Sequence, residues 1–292
     1  MPFTLSRGGA NVAAEVQRWQ YFLRKQGVDQ VGAIDGGFGK NTEAATKTFQ
    51  SGAGLPATGP VDVNTLQRAA QLGYTIVPDD YYEKRKGAHF PPPPADLSSP
   101  DNASRNRVFS CFEFIQRPLS QRPADNPEEI VIQGSCDGSV TDWPSANITT
   151  IPVPQLKFAA GFNGTIRCHA KAAPIIKALF AKWEQDDLLH LVMRYEGCFV
   201  PRYIRGTKTP PEGHPPKRSD GVSTLSNHSF GAAFDINFDD NQLAAEPAEA
   251  GQRGSTRELV ASANALGVYW GGHFSRLDGN HFEVARLSDV VA

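Results

Sequence analysis

The chain has 292 residues, 40% of them hydrophobic and 21% charged, with a formal net charge of −2. That length suits about two domains with a sizeable core, and the near-neutral balance disfavours a polyanion such as nucleic acid as partner. No run of about 18 apolar residues could span a membrane, and the opening stretch from Met1 to Ala10 lacks the apolar centre of a secretory signal.

Val12, Val16, Trp19 and Leu23 lie at helical spacing and predict a helix that stops near Gly27. Asp35-Gly36-Gly37-Phe38-Gly39-Lys40-Asn41-Thr42 leads into a second helix, with Asn41 or Thr42 as cap and Ala45 and Phe49 facing inward. Twenty-three positions on, Thr58-Gly59-Pro60-Val61-Asp62-Val63-Asn64-Thr65 repeats the same grammar before a third helix carrying Leu66, Ala69 and Ala70 up to Gly73, an internal duplication. These residues resemble the three-helix peptidoglycan-binding domain, whose signature reads here as Asp35 to Gly39, Thr42, Phe49-Gln50 and Gly54-Leu55. The resemblance covers residues 10 to 75 and implies a small all-α N-terminal domain, residues 1–77, that binds wall glycan.

Composition shifts from Pro78 to Pro100, with the basic run Lys84-Arg85-Lys86 and four prolines from Pro91 to Pro94. Successive prolines predict an extended, semi-rigid linker, placed at residues 78–104. Beyond it, Val108 to Phe114 and Ile130 to Ile132 read as strands. Ala172, Ile175, Ile176, Leu179, Phe180 and Trp183 form a helical core stripe with Pro174 in its first turn. Leu189 to Tyr195 reads as a buried strand delivering Arg202 and Arg205, which can hold a carboxylate or be ordinary ion-paired arginines. The polar loop from Thr207 to Val222 predicts a solvent-exposed His214. Ser255-Thr256-Arg257-Glu258 reads as a capping box opening a helix that ends at Gly267. The four cysteines, Cys111, Cys136, Cys168 and Cys198, form no Cys-x-x-Cys pair and fit two disulfides or four buried thiols.

The chemistry gathers in two stretches. From Ala233 to Asp239 the sequence alternates, so a strand would put Asp235, Asn237 and Asp239 on one face and Phe234, Ile236 and Phe238 on the other. His228 precedes it in a turn containing Gly231. His281-Phe282-Glu283-Val284 alternates too, placing His281 and Glu283 together. Two imidazoles and a carboxylate can supply three ligands to a zinc ion and leave a fourth position open. Asp278, three residues before His281, is then the candidate general base, and Glu283 the partner that holds an imidazole in its ligating tautomer.

The ordered motif Ser226-x-His228-x-x-Gly231-x-Ala233-x-Asp235, then Trp270-Gly271-Gly272 and Asp278-x-x-His281-Phe282-Glu283, resembles the VanY-like D-alanyl-D-alanine carboxypeptidase and L-alanyl-D-glutamate endopeptidase family. The resemblance implies an α+β domain, residues 105–292, with an antiparallel sheet and helices like those of the D-Ala-D-Ala peptidases and the Hedgehog signalling domain. It implies zinc on His228, Asp235 and His281, Asp278 as catalytic acid, and an upstream arginine, assigned to Arg202 with Arg205 in reserve. Ser226, Glu283 and Trp270 are expected around the ligands or the substrate. Asp at position 278 looks more like the endopeptidase branch and the phage endolysins, whereas the longer Thr207 to Val222 loop and His273 depart from the family pattern. The reading is a peptidoglycan hydrolase acting in the periplasm or wall, released by a phage or delivered by a secretion machine, in the latter case with an immunity protein as further partner. The alternative is a non-catalytic zinc-containing wall-binding protein.

Overall fold

The structure is a computed structural model that describes residues 4–85 and 90–287; Lys86 of the basic run and the first three residues of the opening stretch lie outside them. A helical N-terminal domain joins a larger α+β domain. Among the described residues no helix is long and apolar enough to cross a membrane.

The N-terminal domain packs α1 (Ala13–Lys25), α2 (Lys40–Gly52) and α3 (Val63–Ala70) around Val16, Trp19, Phe22, Leu23, Phe49 and Leu66. Its duplication has a physical basis. Gln20 on α1 donates to Asp35, the Gly37 carbonyl and Thr42, and accepts from the Asp35 and Gly36 amides. Gln50 on α2 repeats the arrangement with Thr58, the Pro60 carbonyl, Thr65 and the Gly59 amide. Each loop that precedes a helix is thus satisfied by an amide side chain from the helix before it, so its polar backbone can be buried. The helix starts differ from expectation: Gly39 caps α2 and Thr42 lies inside it, its hydroxyl turned back to the Gly37 carbonyl, whereas Asp62 caps α3 by accepting from the Thr65 amide at 2.8 Å.

The domain is seated on its neighbour. Ala14 and Tyr21 belong to the larger domain's apolar core, the Gln17 amide donates to the His190 carbonyl at 3.3 Å, and Arg18 pairs with Asp187. Beneath them Glu15 is buried and held by Arg18, Tyr74 and Tyr82.

In the larger domain α4 (Asn102–Phe109) takes the place of the strand expected from Val108: Asp101 caps it by accepting from the Ser104 amide, and the strand β1 (Phe112–Gln116) begins only after Ser110 turns the chain at φ 68°. β1 pairs antiparallel with β2 (Ile130–Ser135) and a short strand at Lys217–Arg218, β6. A helical turn at Trp143–Asn147, α5, leads into a separate hairpin of β3 (Ile148–Pro152) and β4 (Thr165–His169). The core helix α6 (Ala173–Gln185) buries every residue of its predicted stripe and starts with Pro174 in its first turn.

The sheet that carries the site is antiparallel in the order β5 (Tyr195–Gly197), β7 (Ala233–Ile236), β9 (His281–Val284), β8 (Val268–Trp270). One face is apolar: the rings of Phe234 and Phe282 stack at 5.7 Å and meet Phe180 and Trp183 of α6. The predicted helix after Ser255 appears as a 3-10 turn at Arg257–Leu259 followed by α7 (Val260–Ala265), with Ser255 bonded to Glu258 at 2.6 Å. It ends at Gly267, φ 78°.

Two strand expectations fail for one reason. Asn237 is not on the Asp235 face: it adopts φ 56° and ends β7, its side chain accepting from the Met193 and Arg194 amides and donating to the Leu191 and Gly254 carbonyls. The same bonds hold Leu189–Leu191 as a 3-10 turn, so that stretch becomes a strand only at Tyr195. The cysteines follow neither expected scheme: Cys111 and Cys136 form a disulfide, and Cys168 and Cys198 are buried thiols. His214 is buried, not exposed, packed against Phe114 with its Nδ1 on the Pro215 carbonyl.

Candidate metal centre and adjoining cavity

β7 and β9 are in register with Asp235 opposite His281 and Ala233 opposite Glu283, so strand alternation sends all three polar side chains away from the phenylalanines. His228 arrives from a 3-10 turn, Asn227–Phe230, which Ser226 caps. Gly231, at φ 65°, then swings the chain into β7 so tightly that a Cβ would stand 2.7 Å from the His169 amide nitrogen. Only glycine combines that left-handed backbone with that approach.

The three side chains converge. His228 Nε2 lies 3.1 Å from Asp235 Oδ1 and 3.2 Å from His281 Nδ1, and His281 Nδ1 lies 3.0 Å from the same carboxylate oxygen. The far nitrogen of each ring is engaged: His228 Nδ1 with the Cys198 carbonyl at 2.9 Å, and His281 Nε2 with Glu283 Oε2 at 3.0 Å. Each ring therefore donates outward, and its inner nitrogen, once deprotonated, turns a lone pair inward. Asn227 also donates to Glu283 Oε2. Burial would raise the Asp235 carboxyl, but His228 and His281 hold it well below the usual range. Burial would lower His281, yet its hydrogen bonds to the Asp235 and Glu283 carboxylates outweigh it and push the ring up to about 10. A metal ion bound here would displace the inner proton of His281.

Asp278 is displaced from this trio and lines an adjoining cavity of about 330 Å³ together with Arg202, Arg205, Ser226, Arg276 and His281. Burial pushes its carboxyl up to about 6, with Asn280 donating to Oδ1 at 2.7 Å. Its backbone is placed by Gly271, where a Cβ would lie 2.6 Å from the Asp278 carbonyl and 3.0 Å from His281 Cβ. Trp270 is buried beneath, donating to the Gly279 carbonyl, and so supports the loop rather than facing the cavity.

The arginines separate. Arg202 is buried, its Nη2 3.8 Å from Asp235 Oδ2, and its backbone is clamped to the His228 turn by Ser229, which accepts from the Arg202 amide at 2.8 Å. Arg205 is drawn off by Glu128 at 3.0 Å. Asn227, Ser229 and the Cys198 carbonyl hold the site, yet none was assigned a role from sequence; Asn227 and Ser229 flank His228, and that adjacency was their only signal. The disulfide cysteines also lie near Asp220, but sulfurs bonded to each other are not thiolate ligands.

Residues 220–284 match the family model described as D-alanyl-D-alanine carboxypeptidase. That segment contains His228, Asp235, Asp278, His281 and Glu283, and leaves Arg202 and Arg205 outside. Residues 12–69 match the model for a peptidoglycan binding domain. Both families and their order along the chain are those the motifs resemble. No curated protein and no solved structure matches the chain.

Proposed function

We propose that the protein is a zinc-dependent peptidoglycan peptidase of two functional parts, a wall-binding domain within residues 1–77 and a peptidase domain within 105–292, joined by residues 78–104, and that it cleaves an amide bond of the stem peptide. The observation that carries this is the inward-facing triangle of His228 Nε2, Asp235 Oδ1 and His281 Nδ1, with edges of 3.0 to 3.2 Å. Zinc bonds of roughly 2.0–2.1 Å in a tetrahedron require edges of about 3.3 Å. The donor set, two neutral imidazoles and one carboxylate, is that of an open catalytic site, and the buried outer partners fix both tautomers.

When bound there, zinc supplies an activated water near neutral pH and an electrophile for the scissile carbonyl. Asp278 takes the proton from the attacking water and passes it to the leaving amine. Arg202, aimed past Asp235 into the cavity, donates to the carbonyl oxygen as it gains charge. Ser226 and Ser229 hold the turn that carries His228. Arg105, Arg205 and Arg276 add positive charge to the cavity wall, which suits a stem peptide bearing carboxylates. A purely structural metal would not need a buried acid beside an open cavity, so catalysis is favoured over the non-catalytic wall-binding reading.

Mass spectrometry of muropeptides released from purified sacculi tests the proposal and assigns the bond. Zinc-dependent appearance of stem-peptide fragments is expected; release that continues after exhaustive chelation would sink it.

A further inference from the structure

Residues 90–101 cross from the helical domain to α4, and their prolines favour extended chain with little entropy to lose on docking. They are anchored along their length. The Phe90 ring lies 5.3 Å from that of Trp270, with the Arg257 guanidinium 4.9 Å from its centre. The Pro91 carbonyl accepts from His273 Nε2 at 2.8 Å, Asp96 pairs with Arg286 at 3.3 Å, and Leu97 is buried. His273, one of the departures from the family pattern, thus ties this strap to the loop that places Asp278.

The strap ends inside the site. Ser99 lines the same cavity as Asp278, His281 and Glu283, and its hydroxyl favours the ionised Glu283 carboxylate. That carboxyl is held from one side: Oε2 receives His281 Nε2 and Asn227, while Oε1 is buried without a hydrogen-bond partner on the cavity that Ser99 lines. A buried carboxylate supported at one oxygen can rotate, and rotation would release His281 Nε2.

We propose that this interdomain strap completes the metal site, with Ser99 as a positioning residue that steadies Glu283 against His281 and so keeps His281 Nδ1 aimed at the zinc. The inference rests on the metal-site reading above. Outer partners of ligating histidines affect metal affinity strongly, so a serine supplied by the connection between the domains makes the site depend on how that connection is docked.

The test uses the full chain, with Ser99→Ala and Ser99→Thr variants titrated with zinc against a chromophoric chelator and assayed for kcat and KM on muropeptides. Ser99→Ala should bind zinc about tenfold more weakly and lower kcat with KM little changed, and Ser99→Thr, which keeps the hydroxyl, should restore both. Zinc retained by Ser99→Ala as tightly as by the unmodified chain overturns the inference alone, as does a threonine variant no better than alanine. An unmodified chain that binds no zinc overturns the metal-site reading and this inference with it.

Discussion

At the scale of single residues, the proposed mechanism divides metal binding from proton transfer. His228, Asp235 and His281 offer one inward atom each, whereas Asp278 faces the cavity with its carboxyl raised by burial. Asp278→Asn keeps the shape and the Asn280 neighbour but removes the base. It should lower kcat by about 10²–10⁴-fold while zinc content, measured by atomic emission, stays stoichiometric. His228→Ala should lose metal and activity together. An Asp278→Asn protein that turned over normally would transfer the base role elsewhere.

At the scale of elements, β7 and β9 place the proposed ligands Asp235 and His281 through register, and the turn before β7 places His228. Gly231→Ala would force a left-handed backbone on a residue with a Cβ and drive it into β4 at the His169 amide and toward Ile148 Cδ1, 2.9 Å away. A loss of at least about 2 kcal/mol is expected, read as a lower urea midpoint with unchanged slope. The alternation on these two strands made Asp235, His281 and Glu283 legible, because a period of two allows one assignment of faces. The same rule misread Asn237. Its neighbours alternate like strand residues, but its amide side chain satisfies four backbone groups from distant loops, and a left-handed backbone that asparagine tolerates ends the strand. α6 was legible throughout, since a continuous apolar stripe at helical spacing has one way to be buried.

For the whole molecule, the two domains share an interface, and two buried histidines of the larger domain give a pH response. His169 donates from Nε2 to the Phe109 carbonyl and accepts at Nδ1 from the Lys171 amide, which fixes it neutral between β4 and α4. Burial pulls its pKa down to about 4, and burial holds His190, beneath the Gln17 contact, well below its usual value. The unfolded chain takes up protons on both near pH 6.5 and the folded chain does not. Their stabilisation is therefore fully present above pH 6.5 and is lost as pH falls toward 4, by about 3 kcal/mol for His169. Urea denaturation of the unmodified chain and of His169→Gln across that range should show the variant with the flatter dependence; parallel curves would refute the assignment.

The two families and their order were legible in the motifs, and the same motifs nominate the proposed ligand trio and the acid before His281, because all of these depend on residue type and short spacing. Long-range packing decided the rest. Which of Arg202 and Arg205 stands beside Asp235 depends on Glu128, far away in sequence, which holds Arg205, and which cysteines pair depends on β1 and β2 lying side by side. The connection between the domains reads in sequence as a spacer, because proline predicts extension but not contact. Only the tertiary structure laid it across Trp270 and His273 and brought Ser99 to Glu283.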